Sequence, residues 1–516
     1  MNQNLLYLIL VAVPWISVGC SSSGETRTTT SLLPQSKEST LIIGSTKVTR
    51  PQVNPNLLLK QRVLALFQQE KFSELDALLE SFQKDFEKDF RKEMVLEETF
   101  SAFWAYDPAM ESRLHKWVEQ SPQSYSALLA RASYFRSRAQ ASRGTRWAKD
   151  TSATQFAHME LNLGSAGQDV ASALKLKGEL IVGFEILIAI EMFAPTSGSD
   201  RPLVERALAN WPNSFLIRKT YMHRLKPRWG GSYEEMQAFA DAAQAYAEAN
   251  PRLKFLHGFI FMDRGQLLSH DKRFEEAVQA HTQALSYGDY WRFRYERADT
   301  YWRMNRYPEA LEDVTRAIAL YPQADDNYVL RSKILFQMGR FAEGVGDLWI
   351  AQEIWPYEDS VREWVRDAAI HLVYDGHQLY KQNQFAPALE RFNLAAECDP
   401  THSEIYYWRG VLFARQGNLS EAQQDLEKAV QMNPKDFESY RSLDWVLAKQ
   451  GKWDAVVEHW NHFLALEPNH AKAYLERGGT FYHKGDLKRA FEDAQRACQL
   501  GEQEACARSE SLKQRI

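Results

Sequence analysis

Proline recurs in the second half of this chain at a fixed interval, and that interval constrains the fold more than any other feature. Pro322 and Pro356 are 34 residues apart, and Pro400, Pro434 and Pro468 are spaced by 34 twice over. Proline cannot continue a helical hydrogen-bond ladder, so it marks the end of a helix. Aligning on these prolines brings small residues to one place in a first helix: Gly265, Ala298, Ser332, Gly376, Gly410 and Gly478. Ala277, Ala310, Ala388, Ala422 and Ala490 share one place in a second helix, and Ala284, Ala317, Ala351, Ala395, Ala429 and Ala497 follow seven residues later. Small side chains are needed where two helix backbones approach closely. A period of this length predicts an array of stacked helical units.

These positions resemble the tetratricopeptide repeat. Seven units are expected within residues 258–506: 258–290, 291–324, 325–356, 369–402, 403–436, 437–470 and 471–504, with an insert at 357–368 that carries Trp364 and a tail at 507–516. The resemblance implies an all-α, right-handed solenoid of antiparallel helix pairs whose concave face is lined by the first helix of each pair. Gly344 and Val456 replace the second-helix alanine, and Asp444 replaces the small residue of the first helix.

Helical periodicity begins near Leu57, with helices predicted around 94–106, 108–120, 124–142, 166–193 and 202–210. No run alternates with period two for long enough to predict a strand. Residues 57–250 resemble a bacterial family known as domain of unknown function 4034. The likeness rests on Ala130-Arg131-Ala132-Ser133-Tyr134-Phe135, on Ser142-Arg143-Gly144 and above all on Leu225-Lys226-Pro227-Arg228-Trp229-Gly230-Gly231-Ser232. It implies a degenerate helical-repeat start to the same solenoid and brings no activity with it. Arg228 and Trp229 admit two readings. They form an anion-binding pair, or Trp229 packs into the turn while Arg228 caps helix carbonyls; the second is preferred.

Leu5 to Val18 is an uncharged, largely apolar run of the length of a signal-peptide core, too short to span a membrane comfortably. It ends at Gly19-Cys20, which resembles the lipobox of bacterial lipoproteins. The resemblance implies removal of residues 1–19, lipidation of Cys20, and anchoring in the outer membrane facing the periplasm, inner-membrane anchoring being the other address. Residues 20–56, rich in Ser, Thr, Pro and Gln, are expected to form a flexible tether.

The formal charge of −5 over 516 residues gives no electrostatic reason to expect nucleic acid as a partner. The thirteen His make no HExxH pair, no Cys/His group has zinc spacing, and neither a G-x-S-x-G nor a phosphate-cradling loop occurs. No catalytic residue, metal or cofactor is therefore expected. Ala497-Cys498 through Cys506-Ala507 resembles the C-x7-C spacing of cysteine-rich Sel1-like repeats, which implies a disulfide between Cys498 and Cys506; Cys398 is expected to be a buried thiol. Projected from the repeat register, the concave face carries Arg292, Tyr295, Trp302, Arg303, Tyr407, Arg415, Arg441, Trp445 and Lys449, with Lys333, Tyr380 and His483 at further inward positions. Such a surface favours an extended, acidic segment of a protein partner. The expected function is a lipid-anchored interaction scaffold. The alternative is an enzyme or cell-wall glycan-binding protein with its site in residues 57–250.

Overall fold

The computed structural model describes residues 40–43, 46–49, 59–104, 108–144, 151–193, 200–355 and 359–516. The expected signal segment, Cys20 and most of the tether lie outside the described residues. Each hairpin of the repeat region turns at one residue with positive φ: Lys272, Asn305, Gly339, Asn383, Gly417, Gly451 and Gly485, with φ between 59° and 83°. Glycine adopts this conformation freely, asparagine tolerates it, and Lys272 does so at a cost.

Upstream of the array, ten helices are stacked. They are α1 (Leu59–Gln68), α2 (Phe72–Lys88), α3 (Glu93–Ser101), α4 (Pro108–Gln120), α5 (Tyr125–Arg143), α6 (Ala153–Leu176), α7 (Ile181–Phe193), α8 (Asp200–Asn210), α9 (Phe215–Arg224) and α10 (Tyr233–Ala243). The single helix predicted over 166–193 is two helices, broken around Gly178, and α6 begins at Ala153 behind a capping box of Ser152 and Gln155. Nearly every side chain of α7 is apolar, so it can only be a central helix. It packs against α3, α5, α6, α8 and α9, and its buried Glu185 pairs with Arg136 at 2.6 Å. The buried Glu93 carboxylate sits at the N-terminus of α9, accepting from the Ser214 hydroxyl at 2.5 Å and the amides of Phe215 and Leu216 at 2.8 and 3.1 Å. That is where a helix favours negative charge.

The array itself has seven helix pairs: α11 (Phe255–His270) with α12 (Phe274–Leu285), α13 (Trp291–Arg303) with α14 (Tyr307–Leu320), α15 (Asp325–Gln337) with α16 (Phe341–Ile354), α17 (Asp359–Lys381) with α18 (Phe385–Cys398), α19 (Ser403–Gln416) with α20 (Leu419–Met432), α21 (Phe437–Lys449) with α22 (Trp453–Leu466), and α23 (Ala471–His483) with α24 (Leu487–Gln499). The insert is the first three turns of α17. Its Val361, Val365, Ala368 and Leu372 form a buried stripe, and the Trp364 indole donates to Ser332 Oγ on α15 at 3.0 Å. Most of the stretch expected as a tail belongs to α25 (Gln503–Lys513), whose Ala505 and Leu512 are buried. Cys498 and Cys506 are joined, with S–S 1.96 Å, and Cys398 is a buried free thiol.

Among the described residues one pair of strands precedes the helices. Strands β1 (Thr40–Ile43) and β2 (Thr46–Thr49) pair antiparallel, β1 lying beside α18 and β2 beside α16. Both strands are rich in β-branched residues but too short for alternation to be read from sequence. This part of the expected tether is therefore structured. Among the described residues no helix is long and apolar enough to cross a membrane.

One hydrophobic core runs from Val63 on α1 to Ala429 on α20, so the upstream helices and the repeats are continuous. The upstream helices also brace the turns between units. Lys60 pairs with Glu98 at 2.8 Å and covers the Trp355 ring at 5.1 Å; Glu98 accepts from the Tyr321 hydroxyl, and Gln61 donates to the Glu353 carbonyl.

The repeat register carries a second periodic feature beside the small residues. An arginine on the first helix grips an aspartate sixteen residues later on the second: Arg297–Asp313, Arg331–Asp347, Arg409–Asp425 and Arg477–Asp493, each through two nitrogens at 2.6–2.9 Å. The remaining arm of Arg297, Arg409 and Arg477 reaches back to Thr282, Asn393 and Asn461 on the preceding unit's second helix at 3.0, 3.0 and 2.6 Å. In the fourth unit the polarity is reversed, with Asp375 on α17 and Arg391 on α18 at 2.8 Å.

Two outcomes follow. Asp425→Ala leaves Arg409 without its counter-ion in a largely buried site and should cost about 3 kcal/mol in urea denaturation. The exchange Arg409→Asp/Asp425→Arg, which copies the polarity of the fourth unit, should recover more than half of that loss. Secondly, closing the short Cys498–Cys506 loop should contribute about 2.5 kcal/mol in the chain-entropy model. Reduction should raise hydrogen exchange in α25 and the end of α24 first, and thiol labelling of the unreduced protein should reach Cys398 only on denaturation.

Candidate functional site

The projected concave residues divide into two sets. The first, on α13, is already engaged by the chain itself. Arg292 pairs with Glu296 at 2.9 Å and Asp326 at 3.3 Å and lies over the Tyr295 ring at 4.6 Å. Arg303 pairs with Asp299 at 2.6 Å, and Lys333 stands 6.0 Å from the Trp302 ring. None of these residues lines the groove formed by the second set.

The second set does converge. Arg415 on α19 and Arg441 and Trp445 on α21 line a groove of about 740 Å³. Glu476 and His483 on α23, Arg508 on α25, Tyr380 on α17 and Trp453 on α22 are also in its lining. Trp445 is 49% exposed, unusual for the largest apolar side chain. Lys449 covers one part of its ring at 5.4 Å. Tyr407 instead packs edge-on against Trp408 at 4.9 Å. Trp453 and His483 stack at 5.2 Å.

The floor of the groove holds what the sequence reading left out. Asp444 stands where other units have a small residue, and its carboxylate accepts from the indole N–H of Trp460 on α22 at 3.0 Å. In register they stand where the unit before has Gly410 and Leu426, so the close Gly–Leu contact is replaced by a hydrogen-bonded Asp–Trp pair. Burial, with the charge of Glu476 adding to it, pushes the Asp444 carboxyl up to about 6 despite the indole hydrogen bond. Glu476 is also raised, by burial first; Arg441 and Arg508 pull it down and Glu504 and Glu438 push it up. The departure at Asp444 was visible in the sequence, but its partner was not.

The rim arginines have partners of their own, which weakens the expectation of an acidic occupant. Arg441 pairs with Glu438 at 2.8 Å and Arg508 with Glu504 at 2.7 Å. Arg415 donates to Asn383 Oδ1 at 2.9 Å and lies over the Tyr380 and Phe385 rings at 5.3 and 5.2 Å.

In residues 57–250 the polar groups of the motif around Trp229 are engaged by the chain itself. Arg228 pairs with the buried Asp263, which also meets Lys226 at 3.3 Å and accepts from the Tyr233 hydroxyl at 3.1 Å. The carbonyl-capping role expected of Arg228 belongs to Arg224, which donates to the Trp229 carbonyl at 2.8 Å. Trp229 packs edge-on against Phe193 at 5.4 Å under the Arg143 guanidinium at 5.2 Å. Gly231 is needed because a Cβ there would lie 2.2 Å from the Leu225 carbonyl oxygen. Among the described residues no group of His, Cys, Asp and Glu is placed to hold a metal ion.

Comparison with known proteins follows the same division. Residues 60–192 match the family described as domain of unknown function DUF4034; Leu225 to Ser232 falls beyond that match, although it carried most of the likeness seen in the sequence. Tetratricopeptide repeat families match residues 261–325, 295–358 and 445–505, and 403–436. Among curated proteins, the Hsp70-Hsp90 organizing protein of Triticum aestivum is 22% identical over 226 residues, which are 38% of this chain and 39% of that protein. Anaphase-promoting complex subunit 3 of Schizosaccharomyces pombe is 23% identical over 172 residues, 30% of this chain and 26% of that one. This chain thus spans less than half of either relative. Among solved structures, YrrB, described as a TPR protein with an unusual peptide-binding site, is 18% identical and covers 39% of this chain and 99% of its own, with a TM-score of 0.26. The chain carries a DUF4034 segment followed by tetratricopeptide repeats.

Proposed function

We propose that this protein is a non-catalytic interaction scaffold that grips an extended segment of a protein partner in the groove of its last three repeats. The observation that carries this reading is Trp445. A half-exposed tryptophan on the inner helix of a repeat, set in an open groove with arginines on its rim, is the arrangement in which binding energy concentrates. The tetratricopeptide relatives support a protein partner, since the Triticum protein is named for the Hsp70 and Hsp90 chaperones it organizes. Lipidation at Cys20, with the folded part facing the periplasm, completes the proposal. It rests on Gly19-Cys20 and the apolar run before them, and an oxidising compartment suits the joined Cys498 and Cys506. The upstream helices act in this reading as a brace for the first repeats.

Proximity labelling from the full chain in a bacterial envelope, followed by binding assays with the recovered partner, tests the groove. Trp445→Ala should weaken binding by about 2 kcal/mol or more with unchanged circular dichroism, while Trp302→Ala should leave it nearly intact. Equal loss from both variants would place the contact elsewhere. Mass spectrometry of the envelope-extracted protein should find acylated Cys20 at the new N-terminus; an unmodified Cys20 would remove the anchor from the proposal.

A further inference from the structure

The groove presents two kinds of charge, and they differ in what they lack. Its basic groups are already neutralised or held in place by the chain: Arg441 by Glu438, Arg508 by Glu504, and Arg415 by Asn383 and the rings beneath it. Its two half-buried carboxylates are not. Asp444 has one neutral donor, the Trp460 indole; the Glu476 carboxylate feels Arg441 and Arg508 at a distance but forms no close ion pair or side-chain hydrogen bond among the described residues. Both belong to the same cavity, on neighbouring inner helices. A carboxylate withdrawn from water without a counter-ion is costly, and a cation placed between two of them relieves both. The unmet charge of the groove is therefore negative, the reverse of what a count of its arginines suggests.

We propose that the groove selects an extended protein segment by a lysine or arginine side chain that enters between Asp444 and Glu476, with its alkyl stem against Trp445. The proposal rests on the groove reading above and names the chemistry of its occupant. A long cationic side chain fits the shape of the site, because its methylenes cover apolar surface while its head reaches a polar floor. Acidic residues on either side of that cation would meet Arg441 and Arg508 at the rim, where pairs screened by water contribute little.

A dependence on pH follows. The charged and titratable groups that share the cavity with Asp444 are Arg441 on its own helix, Arg415 on α19, Glu476 and His483 on α23, and Arg508 on α25, while α22 brings the rings of Trp453 and Trp460. The cation binds the ionised carboxylate, and Asp444 takes up its proton as pH falls through about 6. Affinity for a cation-centred segment should therefore be full at pH 7.5 and fall several-fold by pH 5.5.

The test uses the purified full chain and degenerate nine-residue synthetic peptide pools that differ only in a fixed central residue: Lys, Arg, Glu or Leu. Binding is read by fluorescence anisotropy. The Lys and Arg pools should bind at least tenfold more tightly than the Glu pool, and Glu476→Gln and Asp444→Asn should each reduce that preference. Glu476 is partly exposed and its carboxylate makes no side-chain hydrogen bond among the described residues, so Glu476→Gln remains informative even where Asp444→Asn disturbs the packing of Trp460. A preference for the Glu pool, or a Lys preference that survives both variants, would overturn the cation proposal and leave the groove standing. Binding of every pool unaffected by Trp445→Ala, or binding of none, would instead remove the groove itself.

Discussion

The crossing of the two helices within each unit is the constraint on which the array depends. Backbones can meet there only because the side chains between them are small, and a Cβ on Gly410 would already stand 2.8 Å from Leu426 Cγ. Beside that contact sits the paired arginine and aspartate, which fixes the rotation of one helix against the other by bidentate geometry that a hydrophobic contact lacks. Where the arginine also reaches the unit before it, one side chain sets both the hairpin and the step to the next hairpin. The reversed pair in the fourth unit shows that the geometry is kept while the residues trade places.

Exceptions to the pattern are matched by their neighbours. Gly344 replaces an alanine because the Phe336 ring occupies the space, at 2.6 Å from where a Cβ would be. Asp444 replaces a small residue and is met by Trp460. In the first unit His281 faces Gly265 with both ring nitrogens unpartnered, and burial lowers its pKa to about 4. As pH falls from 6.5 toward 4 the unfolded chain takes up a proton that the folded one refuses, so this unit loses stability on acidification. Asp444 acts in the opposite sense: the folded chain binds its proton first, so its unit gains stability over the range from about 6 to 4.

The repeat architecture was legible because small residues and prolines recur at one interval, and copies reinforce one another. The sixteen-residue ionic pairing was equally periodic, yet reading it requires knowing which faces of two helices meet. Single-copy features were harder. The break at Gly178 and the short hairpin at 40–49 carry too few residues to show a period, and α25 is polar on all but a narrow face. The groove was half legible. Repeat register placed Arg415, Arg441 and Trp445 on the inner surface, but charge state there depends on contacts. Glu438, one turn back on the same helix, pairs with Arg441 at 2.8 Å, whereas Glu476 has only the more distant charges of Arg441 and Arg508 to offset its burial.

A stack of similar hairpins has no natural end, because the face that each unit offers to the next is still on offer at the last one. Left open, such a face invites a second copy to continue the stack, and head-to-tail contacts that do not close produce filaments. Here α25 lies over the last pair, burying Ala505 and Leu512 and turning Glu504, Arg508 and Glu510 outward. The bond between Cys498 and Cys506 ties this lid to the helix it covers. The cap thus covers, with Leu512 against Phe481, Ala490 and Ala494, the face that the seventh pair would otherwise offer to a further unit.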